Sequence, residues 1–111
     1  MNDKQFYFAV SEASAYASRD AYISDISLSS MWGDDESSEI PPERIEALGS
    51  IWDACNRSVR DIVAAAGLSQ RKLAERFCIP YRTVEDWSAG KRECALYMRL
   101  MMQECLGILR R

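Results

Sequence analysis

The side chains with most chemical capacity in this chain are four cysteines and fourteen Lys and Arg residues, and histidine is absent. Cys55, Cys78, Cys94 and Cys105 stand 23, 16 and 11 residues apart, which excludes the close pairs that zinc knuckles and redox dithiols use. The thiols are therefore expected to be reduced and mostly buried, with no metal and no cofactor. Without histidine the chain lacks the commonest metal ligand and the commonest general base near neutral pH. Paired carboxylates, a nucleophile beside a base and a phosphate-cradling loop are also missing from the pattern. These residues suit binding, and no enzyme is expected.

The cations are unevenly distributed. Residues 1–50 hold ten acids against Lys4, Arg19 and Arg44, a net of −7, whereas residues 51–111 hold eleven bases against seven acids, a net of +4. A chain whose halves differ in sign can present one half to a polyanion. Two solvated helix faces would give the same count, so charge alone leaves both readings open.

The elements that must carry these charges read as helices throughout. Phe6, Ala9, Val10, Ala13 and Ala17 recur at helical spacing, and Ile23 and Ile26 continue it after a break near Ser18, whose hydroxyl can cap a second helix. The acidic run Gly33-Asp34-Asp35-Glu36-Ser37-Ser38-Glu39-Ile40-Pro41-Pro42 suits a loop. Pro42 suits a first helical position, with Ile45, Leu48, Ile51, Trp52 and Cys55 as an apolar stripe behind it. Ser58 caps the next helix and Gly67 stops it; short helices over Ser69–Phe77 and Tyr81–Ala89 follow, the latter ended by Gly90. A last helix is predicted from Cys94 to Ile108, with Met98, Met101 and Met102 as core or dimer filler and Arg110-Arg111 complementing its dipole. No period-two alternation marks a strand, and no segment approaches the roughly 20 apolar residues that span a bilayer. The N-terminus lacks a basic start followed by an apolar core, so a cytoplasmic protein with no membrane contact is expected.

The stretch from Leu68 to Lys91 is two short helices around a tight turn. Leu73, Ala74 and Phe77 share a face of the first helix, and Ile79, Val84 and Trp87 fill the core from the second. Ala74 must be small where the helices cross. Trp87 reads as core. With the helices on either side, the series Gln70, Ala74, Ile79, Val84, Trp87, Gly90 and Lys91 resembles the lambda-repressor-like (XRE-type) helix-turn-helix family, in particular small regulators of mobile elements and gut Firmicutes. About 50 of the 111 residues carry the resemblance. Cys78 departs from it: the family usually has Gly at that turn, where φ is often positive, and any residue with a Cβ pays roughly 1 kcal/mol there.

The resemblance implies that the second helix enters the major groove of double-stranded DNA, with Tyr81, Arg82 and Asp86 toward the bases and Thr83 and Glu85 at the margin. Arg82 would grip guanine and Asp86 would accept from a cytosine amino group. Gln70, Arg71, Lys91 and Arg92 would meet phosphates. The expected architecture is all-α, a helix-turn-helix DNA-binding domain over residues 42–111 preceded by an acidic helical extension and linker over 1–41. The expected activity is transcriptional regulation, as a repressor, by a homodimer on an inverted repeat. Against this, Glu85 and Asp86 place two negative charges on the reading face. The alternative is a protein-interaction module of a mobile element, antitoxin-like or inhibitory, that keeps the fold and meets a protein partner through its acidic N-terminal half.

Overall fold

The computed structural model describes residues 1–35 and 37–111; Glu36, in the acidic loop, lies outside the described residues. The described residues contain seven α-helices, one short 3-10 helix and no strand, so the chain is all-α. No helix among them is long and apolar enough to cross a membrane. They form two compact units, residues 1–55 with 110–111 and residues 56–109. The division falls one helix later than the 41/42 boundary expected at the acidic loop.

The first unit holds α1 (Asp3–Ala13), α2 (Arg19–Ile26), the 3-10 turn Ser30–Trp32 and α3, which begins at Pro42 and ends at Asn56. Asn2 and Gln5 form a reciprocal cap that starts α1, and the Ser18 hydroxyl accepts from the Ala21 amide to start α2. α1 stops at Ala13, four residues before its apolar stripe does, because tight turn bonds from Ala15 to Glu12 and from Tyr16 to Ala13 replace the helical ladder. Ala9, Ala13, Tyr22, Ile26, Leu48, Ile51 and Ala54 are buried. Tyr22 lies against Trp52 at 5.5 Å and donates its hydroxyl to the Ala9 carbonyl at 2.7 Å, so its buried polar tip is satisfied. That burial pushes the phenol's pKa well above its ordinary value.

Arg44 clamps the loop ahead of α3. Its guanidinium lies 4.5 Å from the centre of the Trp32 ring, forks onto the Asp34 carboxylate and donates to the Ser27 carbonyl. The Arg44 hydrogen bonds hold the Asp34 carboxyl below its usual range. Arg110 and Arg111 do not close a helix as expected. The last helix ends at Cys105; the Arg110 amide donates to Ser50 Oγ, and Arg111 stacks over Phe6 at 3.9 Å.

The second unit holds α4 (Val59–Ala66), α5 (Gln70–Phe77), α6 (Tyr81–Ser88) and α7 (Leu96–Cys105). Ser58 and Asp61 form a capping box on α4, Gly67 ends it at φ 68°, and Ser69 caps α5 through the Lys72 amide. α5 packs on α6, and α4 packs on α5, α6 and α7. Val59, Leu73, Ala74, Val84, Cys94 and Met102 form the core, with Phe77, Ile79, Trp87 and Met98 packed against it. α7 is shorter at both ends than predicted. Cys94 enters the core from extended chain ahead of the helix. At the other end Gly107, at φ 74°, lets the Ile108 and Leu109 amides turn back onto the Gln103 carbonyl. Half-buried Arg99 ties α7 to its surroundings, donating to the carbonyls of Cys94 and Arg57.

No disulfide joins the four cysteines, but the expectation that most are buried is corrected: Cys94 alone is buried, Cys55 is half-buried, and Cys78 and Cys105 are exposed. Of the methionines expected as core or dimer filler, Met102 is covered and Met98 packs against the core, while Met101 is 53% exposed. Cys78 ends α5 in the left-handed region at φ 54°, the one non-glycine there among the described residues. The turn closes through the Ile79 amide, which reaches the Ala74 carbonyl at 2.9 Å. The strain expected at this position is therefore present as left-handed backbone. Cys78→Gly should raise stability by about 0.5–1 kcal/mol, the relief of Cβ strain exceeding the added freedom of the unfolded chain. A urea midpoint shifted upward at unchanged slope checks it.

Candidate nucleic-acid interface

α6 is anchored along one side and open along the other. Val84 is fully buried, and Tyr81 and Trp87, three residues to either side, pack against the same core. The opposite side exposes Arg82 and Glu85. The chain leaving α6 is tied back to it, because the Lys91 and Arg92 amides donate to the Asp86 carbonyl at 2.9 and 3.3 Å. This bond pair holds the two exposed cations beside the last turn of the helix.

Gln70 is the first residue of α5, where the opening amides of a helix lack intrahelical acceptors. It lines, with Arg82, Asp86 and Lys91, one concavity of about 400 Å³, to which Glu85, Ser88, Ala89 and Arg60 also contribute. Four of the expected base and phosphate contacts are thus brought together, with Glu85 from the margin. Tyr81, Thr83, Arg71 and Arg92 are not part of that wall. Tyr81 and Arg71 form a pair of their own, with the guanidinium 4.3 Å from the ring centre, and Thr83 is half-buried.

Asp86 is the more covered member of an ion pair with Arg82 at 3.3 Å, its side chain 17% exposed against 79% for the arginine. One turn of helix separates them, the spacing at which such pairs form. The pairing neutralises one of the two acids on this side. A base amino group would have to compete with Arg82 for the same carboxylate. Glu85 makes no salt bridge among the described residues.

Arg60, in the first turn of α4, was not singled out from the sequence. Its signal was available: a cation in a first turn opposes the helix dipole, and the neighbouring Asp61 is occupied as the cap. Ser88 Oγ is buried with no hydrogen-bond partner among the described residues. Leaving a hydroxyl so costs about 1–3 kcal/mol. Ser88→Ala should therefore be neutral or stabilising by about 1 kcal/mol in thermal unfolding, the reverse of the usual loss on deleting a buried hydrogen-bonding group.

No family model, no curated protein and no solved structure matches this chain.

Proposed function

We propose that the protein is a sequence-specific double-stranded DNA-binding regulator of the helix-turn-helix type, acting in transcription as a repressor. The observation that carries this reading is α6, fixed from behind by Val84, Trp87 and Tyr81, with Arg82 exposed on its free side and lining one concavity with Gln70 and Lys91. An eight-residue helix held in this way can lie in a major groove, which admits one α-helix. Arg82 is the base-reading residue, with Asp86 and Thr83 as its neighbours at the base edges, while Tyr81, expected there, packs against the core instead. Gln70, Arg71, Lys91 and Arg92 contact phosphate.

A homodimer is part of the proposal, since one short half-site gives limited specificity. Tyr97 and Met101, exposed one turn apart on α7, are consistent with self-association. Mass by light scattering across a concentration series tests it.

Titration of the full chain against random duplex from about 50 to 200 mM salt tests DNA binding, with affinity expected to fall steeply as salt rises. No binding at the lowest salt overturns the proposal. It would favour the second reading, a protein-interaction module, which the acids of α6 and the −7 balance of residues 1–50 support.

A further inference from the structure

We propose that Arg60 is a phosphate-gripping residue of the DNA interface, supplied by the helix that precedes the α5–α6 pair; the inference rests on the DNA-binding reading above. Its position makes no sense as local structure. Arg60 is the second residue of α4, where the positive end of the helix dipole disfavours a cation. The carboxylate that could have offset this, Asp61, is turned back onto the Ser58 amide as part of the cap. Arg60 is exposed and makes no salt bridge among the described residues. A residue placed against its local preference, with no salt bridge among the described residues, is a candidate for a functional role.

The surroundings say what that function is. Arg60 shares its concavity with Lys91 and the Gln70 amide. Lys91 likewise makes no salt bridge among the described residues, and neither cation comes within salt-bridge distance of Glu85, which lines the same wall. Arg82 and Asp86 offset each other. The side chains left over are two unpaired cations and an amide donor, a set that fits the oxygens of a phosphodiester. Such contacts set register and affinity without reading sequence. The guanidinium of Arg60 would thereby carry the interface beyond the α5–α6 pair onto α4.

The test is fluorescence anisotropy of the full chain with a random-sequence duplex of about 30 base pairs over a range of salt concentrations. Arg60→Ala should weaken binding several-fold to every duplex alike and make the plot of log affinity against log salt shallower by about one. Arg60→Lys should keep most of the slope. Arg76→Ala, an exposed cation of α5 outside the concavity, should change neither quantity. Unchanged unfolding midpoints confirm that the variants fold. If the wild type and Arg76→Ala bind while Arg60→Ala keeps the full slope, Arg60 makes no phosphate contact and the inference is wrong. If the wild type binds no duplex at all, the DNA-binding reading fails first and takes this inference with it.

Discussion

Leu73→Ala is expected to lower the unfolding free energy by about 2–5 kcal/mol, a large part of the 5–15 kcal/mol that stabilises a typical domain. Leu73 is fully buried on the inward face of α5, in the same cluster as Val59, Ala74, Val84 and Met102. Truncation removes apolar area and leaves a cavity that close-packed helices can only partly collapse. The loss falls on the contact between α5 and α6, so the free side of α6 should lose its fixed orientation as well. Urea unfolding followed by circular dichroism gives the cost. Leu28→Ala, at a position 72% exposed, serves as the contrasting case, with a change within about 0.5 kcal/mol. Equal losses from both variants would mean that Leu73 is not a core residue.

Arg82→Ala is expected to abolish preference at a single base position, at about 1–3 kcal/mol of discrimination, while binding to random duplex falls far less. The prediction depends on how tightly Asp86 holds Arg82 in the absence of DNA. An exposed pair one helical turn apart is worth only about 0.3–0.5 kcal/mol, and the arginine is 79% exposed. Guanine, offering two acceptors to the guanidinium fork, should therefore draw it away. Asp86→Asn should act in the opposite sense, raising affinity for random duplex by removing a negative charge from the side proposed to face DNA. Selection of bound duplexes from a random pool, followed by competition with single-base variants, measures both. Identical preference in wild type and Arg82→Ala would remove Arg82 from the reading role.

What could be read from the sequence was whatever a few adjacent residues decide. Ser18, Ser58 and Ser69 announce helix starts because a short hydroxyl can reach an amide three residues on, and Pro42 because its fixed φ suits a first turn. Gly67 and Gly90 announce stops because they accept positive φ. The inward side of α6 was legible in Val84 and Trp87, whereas Tyr81, expected toward the bases, packs against the same core. What stayed hidden depends on residues distant in the chain. Arg44 finds Asp34 and the Ser27 carbonyl 10 and 17 residues away, and nothing local distinguishes it from a solvated cation. Tyr81 and Arg71 stack across the turn. The ends of α7 are set by where Cys94 enters the core and where Gly107 reverses the chain. Arg60 reaches the candidate interface only because α4 packs beside α6.

Gly49 lies in the middle of α3, where a protein engineer would install alanine to gain about 1 kcal/mol of helix propensity. A methyl group there would sit 2.3 Å from a guanidinium nitrogen of Arg19, which rests on this spot while pairing with Asp53 at 3.0 Å. That arginine is about half exposed, so evicting it forfeits about 0–1 kcal/mol. The two changes nearly cancel. The bare backbone at residue 49 thus works as a berth for a side chain arriving from α2, and routine thermostabilisation by filling helical glycines would exchange a tether between two helices for a stiffer single one.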